Sequence, residues 1–125
     1  MPAQRILLVE DLEDDVFFFK RTFKRAEVYA EIEVATDGAK AIDFLTRHAE
    51  TPPDVIFLDL KLPNQNGFEV LAWLKQNPAL ANTKVYILTS SGEPREQQQA
   101  KEMGADDYFV KPLLPEQLRE ALARH

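Results

Sequence analysis

The sequence predicts a doubly wound α/β domain, a parallel sheet with helices on both faces. Three observations predict it. Short apolar, partly β-branched runs alternate with longer segments of helical periodicity, in the order βαβαβαβαβα. Alternation of that kind implies parallel strands joined by right-handed crossovers. Four of the runs stop on a reactive or charged side chain: Ile6–Val9 at Glu10-Asp11, Val55–Leu58 at Asp59, Lys84–Leu88 at Thr89, and Tyr108–Val110 at Lys111. The remaining run, Glu31–Ala35, alternates charged with apolar residues and suits an edge strand with one wet side. An edge-like second strand gives the order 2-1-3-4-5, a flavodoxin-like five-stranded sheet. Ligands of such sheets bind beyond the carboxyl ends of the strands, at the switch point between strands 1 and 3.

Composition sets the bounds. A chain of 125 residues is one domain with a sizeable core, expected to span residues 1–125. No run of about 18 apolar residues is present, so no transmembrane helix is expected. Met1 to Arg5 lead directly into a strand and do not resemble a signal peptide. The absence of cysteine excludes disulfides and thiolate metal sites and fits a cytoplasmic protein. A net charge of -6 argues against non-specific nucleic-acid binding, which depends on Lys and Arg at phosphates. The expected protein therefore has no nucleic-acid or membrane partner.

The first strand is followed by a helix from Glu13 to Ala26, with an expected inward stripe of Phe18, Phe19, Thr22, Phe23 and Ala26. Phe17 then points away from the core beside Lys20, Arg21 and Lys24. Asp37-Gly38 is a turn, with Asp37 as candidate N-cap of a helix carrying Ala41, Ile42 and Leu45 to about His48. Thr51-Pro52-Pro53-Asp54 breaks the chain before the central strand, Val55–Leu58, whose unbroken apolar character suits burial on both faces. Leu62 to Gly67 reads as a loop, and the next helix buries Val70, Leu71 and Leu74, with Trp73 along its flank, and ends by Asn77-Pro78. After the fourth strand, Glu93-Pro94 opens a polar helix, Arg95 to Met103, whose three consecutive glutamines imply exposure. Gly104 to Asp107 turn into the last strand. Pro115 begins a final helix carrying Leu118, Ala121 and Leu122.

The fold alone brings Glu10, Asp11, Asp59, Thr89 and Lys111 to one end of the sheet. Taken singly, each has an ordinary reading: a solvated turn, a loop aspartate, a strand-end hydroxyl, a surface lysine. Their joint occurrence at the tips of separate strands is what chance does not supply. Clustered carboxylates repel one another and invite a divalent cation, and an all-oxygen set favours Mg²⁺ over zinc. Asp59, the most central carboxylate, suits a nucleophile toward phosphorus, giving an aspartyl phosphate. Mg²⁺ and Lys111 would neutralise charge on the transferring phosphoryl group.

On these residues the chain resembles a response-regulator receiver domain over essentially its whole length. The resemblance rests on Ile6-Leu-Leu-Val-Glu-Asp11, Asp37-Gly38, Val55-Ile-Phe-Leu-Asp-Leu-Lys-Leu-Pro63 with Gly67, Leu88-Thr-Ser90, and Gly104-Ala-Asp-Asp-Tyr-Phe-Val-Lys-Pro112. It implies that Asp59 accepts a phosphoryl group from a sensor histidine kinase. It implies that Asp11, Asp59 and the backbone carbonyl of Lys61 hold Mg²⁺ directly and Glu10 does so through water. It further implies that Thr89 swings to the phosphoryl group, that Lys111 pairs with it, and that Tyr108 changes rotamer in response. It also implies a cis bond between Lys111 and Pro112, in keeping with the near confinement of cis bonds to proline. Glu10-Asp-Leu-Glu-Asp-Asp-Val16 and Ala41-Ile-Asp-Phe-Leu45 resemble small stand-alone receivers that serve phytochrome-type kinases. Two departures stand out. Asn66 replaces an Asp that often precedes the glycine, and Lys61 and Ser91 occupy positions where the family sets the access of hydrolytic water.

The function expected is thus a stand-alone phospho-acceptor switch, not an enzyme with an external substrate. The chain ends with its last helix, so no DNA-binding output domain is expected. Output would run through another protein, a relay or a homodimer, on the face of the fourth helix, fifth strand and fifth helix. Phe17, Lys20, Arg21 and Lys24 are the expected kinase contact. A phosphatase of the aspartyl-phosphate type commonly has a second Asp two positions after the nucleophile, where this chain has Lys61. A flavin or other cofactor binder needs a Gly-rich first turn, where this chain has Glu10-Asp11-Leu12. A pseudo-receiver used only for docking would not need the full set of Asp11, Asp59, Thr89 and Lys111.

Overall fold

Residues Val55 to Leu58 form the middle strand, and their side chains alternate between two apolar layers. Ile56 and Leu58 enter one cluster, Val55 and Phe57 the other, and all four are fully buried. The computed structural model describes residues 4–62 and 65–123. Its five parallel strands are β1 (Gln4–Val9), β2 (Ala30–Ala35), β3 (Val55–Leu58), β4 (Lys84–Thr89) and β5 (Asp107–Val110), in the order β2-β1-β3-β4-β5. Four helices connect them, α1 (Glu13–Arg25), α2 (Gly38–Arg47), α3 (Gly67–Gln76) and α4 (Pro94–Glu102), and α5 (Pro115–Ala123) follows the last strand. The doubly wound sheet expected from the sequence is the sheet observed.

One layer joins Leu7 and Val9 of β1 to Ala41 and Leu45 of α2, Val70, Leu71 and Leu74 of α3, and Ala100 of α4. The other joins Ile6 and Leu8 to Phe19 and Phe23 of α1 and Leu118, Ala121 and Leu122 of α5. Phe57 is central to the second layer, with its ring edge-on to Phe19 and Tyr86 at centroid distances of 5.0 and 5.5 Å. Tyr86 donates its hydroxyl to the carbonyl of Ala121 at 2.8 Å, so a polar atom enters this core fully satisfied. Asp37 caps α2, accepting from the Lys40 N–H at 2.7 Å, and Asn66 caps α3 through Phe68 N–H at 2.8 Å.

Two local expectations need correction. Phe18 does not join the inward stripe of α1: it is 53% exposed, while Phe19, Thr22, Phe23 and Ala26 are buried. Phe18 lies at the edge of that stripe, where α1 meets the turn after β5, and a cavity of about 240 Å³ lies between them. The segment after Asp59 is more than a loop: Lys61–Leu62 pair antiparallel with Gln65–Asn66. That fold-back packs Gly67 onto the chain it came from. A Cβ on Gly67 would stand 2.4 Å from Leu60 Cα and 2.8 Å from the carbonyl oxygen of Asp59. Only glycine fits so close to a backbone.

Candidate functional site

Parallel strands end together, so their carboxyl-terminal residues share one rim of the sheet. The amide of Asp59 donates to the carbonyl of Val9 at 3.1 Å, which extends the β1–β3 ladder by one residue and fixes the aspartate beside Glu10. In the same way Glu10 N–H donates to Ala35 O at 3.0 Å and Lys111 N–H to Thr89 O at 2.8 Å. The peptide bond between Lys111 and Pro112 is cis.

The side chains converge on the Lys111 ammonium. Its Nζ lies 2.8 Å from Asp15 Oδ2 and 2.9 Å from Asp59 Oδ2, and also pairs with Glu10 Oε1. Asp59 is 5% exposed, and its other oxygen, Oδ1, accepts the Lys61 N–H at 3.0 Å. Glu10 is almost fully buried, and its Oε2 accepts the N–H groups of Asp11 and Leu12 at 3.1 and 3.3 Å. Burial pushes the Glu10 carboxyl above its ordinary range, against the pull of the hydrogen bond from Lys111. For Lys111, burial pulls the pKa down, but hydrogen bonds to Asp15, Glu10 and Asp59 outweigh it and hold the pKa well above that of a free lysine. The ammonium is therefore a fixed positive charge at any physiological pH.

One carboxylate oxygen each from Glu10, Asp11 and Asp59 lie within 4.8 Å of one another. A hard divalent cation takes oxygen ligands at about 2.0–2.6 Å, so such a trio can share one ion. The residues present thus offer the all-oxygen donor set that a hard cation such as Mg²⁺ takes. Thr89 is wholly buried at the end of β4. Its Oγ1 makes only a long contact, from Ser91 N–H at 3.5 Å, among the described residues. Tyr108 is partly buried and donates its hydroxyl to the carbonyl of Ser91 at 2.7 Å. Its pKa is raised by burial and then by the nearby charge of Glu96.

The fold brings together Glu10, Asp11, Asp59, Thr89 and Lys111, as their places at the strand tips require. Phe17, Lys20, Arg21 and Lys24 lie apart from this cluster, all exposed on α1. Asp15, which sequence reasoning did not single out, is the third carboxylate on Lys111. A signal for it existed: it precedes Phe19 by four residues and Thr22 by seven, on the inward face of α1.

Comparison with known proteins agrees with this geometry. Residues 6–123 match the model of the response regulator receiver domain. The chain belongs to that family.

This receiver is 36% identical over 114 residues to response regulator Rcp1 of Synechocystis, with 88% of this chain and 78% of Rcp1 covered. It is 31% identical over 125 residues to sporulation initiation phosphotransferase F of Bacillus subtilis, covering 95% of that protein. It also matches a probable cyclic di-GMP phosphodiesterase of Vibrio cholerae at 32% identity, but spans only 26% of that longer protein. Among solved structures, the bacteriophytochrome response regulator RtBRR superposes with a TM-score of 0.84 at 38% identity, over 98% of this chain and 77% of that one. The Mn(2+)-bound form of Rcp1 superposes with a TM-score of 0.79 at 32% identity, over 97% and 91%. Receivers are the phospho-acceptor modules of two-component phosphorelays, bind Mg²⁺ and interact with sensor histidine kinases. No helix among the described residues is long and apolar enough to cross a membrane.

Proposed function

We propose that this receiver accepts a phosphoryl group on Asp59 from a sensor histidine kinase and uses it to switch its affinity for a partner. The observation that carries the reading is the Asp59 carboxylate, buried yet held between the Lys111 ammonium and the Lys61 N–H. The carboxylate attacks phosphorus; an O–P bond forms as the donor's P–N bond breaks, and the imidazole leaves. Asp11, Asp59 and the Lys61 carbonyl would hold Mg²⁺, with Glu10 contributing through water. The metal would supply positive charge to the phosphoryl oxygens. Lys111 balances three carboxylates before transfer and would turn to the phosphoryl group after it.

A phosphoryl group adds about -1.5 to -2 charges and three strong acceptor oxygens. Thr89, buried and weakly bonded, is suited to move toward such an acceptor. Its movement would disturb the Ser91 loop that Tyr108 holds by its hydroxyl. The face of α4, β5 and α5 would change in consequence, and with it partner binding or homodimer formation. Phe17 is 61% exposed, its ring edge-on to that of Phe18, and Lys20, Arg21 and Lys24 flank it, which supports α1 as the kinase contact. A phytochrome-type kinase is favoured by the similarity to Rcp1 and to bacteriophytochrome regulators.

The test is incubation with acetyl phosphate and Mg²⁺, followed by intact-mass measurement. Wild type is expected to gain one phosphate and Asp59→Asn none. A phosphate gain in the variant equal to wild type would overturn the assignment. Phe17→Asp is expected to slow transfer from the kinase and leave acetyl phosphate labelling unchanged; equal transfer rates would remove α1 from the contact.

A further inference from the structure

At the opposite end of the sheet from Asp59, α1 closes with two crossed hydrogen bonds, Glu27 N–H to Lys24 O at 3.1 Å and Val28 N–H to Phe23 O at 3.0 Å. This capping pattern sets Val28 back against Phe23 and leaves β2 starting at Ala30. Between helix and strand runs a groove of about 690 Å³, floored by Phe23, Val28, Ala30 and Ile32 and rimmed by Lys20, Lys24 and Glu27. Tyr29 stands at its mouth, 90% exposed. The strand β2 is the outer strand of the sheet.

The rim carries two cations against one carboxylate, Glu27, and so keeps a net positive charge. The protein carries a net charge of -6, yet Lys20, Arg21, Lys24 and Arg25 crowd the last turns of α1. Lys20 and Lys24 are one turn apart, and neither makes an ion pair among the described residues. Like charges at that spacing repel. Glu31 and Glu33 alternate with Ile32 along β2, so they lie on the opposite face of the strand and do not compensate the lysines. Glu27 pairs with neither lysine among the described residues, and an apolar floor beside two unpaired cations and an exposed aromatic ring is complementary to an acidic segment with an apolar anchor.

We propose that this groove is a docking site for an acidic segment of a partner protein, one that shares Lys20 and Lys24 with the kinase contact proposed above. A large apolar side chain of the segment would fill the floor against Phe23 and Ile32. Flanking carboxylates would pair with Lys20 and Lys24, and Tyr29 would close over the anchor. The site does not depend on phosphorylation chemistry at Asp59.

The test uses the isotope-labelled full chain and a synthetic peptide of about twelve residues, with a central Trp flanked by Glu. Amide shifts are expected to be saturable and confined to Lys20–Ile32, and the same peptide with Lys in place of Glu is expected to give none. The charge-reversed Lys20→Glu, Lys24→Glu protein should bind at least tenfold more weakly, as should Tyr29→Ala, whose exposed ring makes misfolding an unsuitable explanation. Asp59→Asn should bind as wild type does, which separates this site from the phospho-acceptor reading. Absence of shifts at about 1 mM peptide would overturn the proposal, as would shifts on another surface or undiminished binding to the charge-reversed protein. Light scattering that showed a dimer dissolved by the charge reversal would instead assign the groove to a second copy of the chain and also overturn it.

Discussion

Replacing Lys111 by Met removes the cation that Glu10, Asp15 and Asp59 share, and keeps most of the side-chain volume. Removing one partner of a buried ion pair costs about 3–5 kcal/mol. The Lys111 and Asp15 side chains are 15% and 30% exposed, so water relieves part of that cost and the lower end applies, about 3 kcal/mol. The assay is urea unfolding of both proteins in EDTA at low salt, at pH 7 and again near pH 5. The pH dependence has a definite sign. In the wild type, Lys111 has a folded pKa raised above the ordinary 10.5, so its stabilisation is complete below that pH and is lost as pH rises through the folded value. Glu10 also has a raised pKa, so protonating it favours the folded state. In the variant Glu10 loses the cation that opposed that rise, and acidification should recover more stability than in wild type. The gap should therefore narrow from pH 7 to pH 5. A loss under about 1 kcal/mol at pH 7, set against the range above, or a gap that widens on acidification, would refute the account of Lys111 as the group holding the acids together.

Three further substitutions probe the scaffold around the site. Gly67→Ala places a methyl against the backbone of Leu60 and Asp59 and should cost about 1–3 kcal/mol, with slower labelling of Asp59 by acetyl phosphate; wild-type stability and rate would show that the fold-back gives way freely. Glu27 sits at φ 58°, in the capping position that Gly104 fills after α4 at φ 98°. Glu27→Gly should stabilise by about 0.5–1 kcal/mol, read from thermal or urea unfolding, and a loss of stability would mean that the Glu27 side chain contributes more than the strain costs. Tyr86→Phe leaves the buried Ala121 carbonyl without the hydroxyl at 2.8 Å and should cost about 1 kcal/mol; unchanged unfolding would show that water or backbone movement replaces the bond.

Much of the fold was legible in residue order because the sheet reads itself out in local terms. Val55–Leu58 is apolar at every position since both its faces are covered, whereas Glu31 to Ala35 alternate since one side of an edge strand is wet. Asp37 was readable as a cap from its place before a helical stripe. Phe18 was not readable, because a residue at the margin of a helical stripe is buried or bare according to what packs beside it, here the turn that carries Pro112 and Leu113.

The chain by itself determined the chemistry on offer: acids after two strands, a hydroxyl after a third and an amine after a fourth, on a topology that gathers strand ends at one rim. Tertiary structure alone decided how they engage. Asp15 joins the ammonium from the first turn of α1, across a sequence separation of 96 residues; its helical spacing shows that it faces inward, but not which strand tip it meets. The groove beside β2 has the same origin, since its floor and its lysines come from a helix and a strand whose relative placement is set by core packing, not by neighbours in sequence.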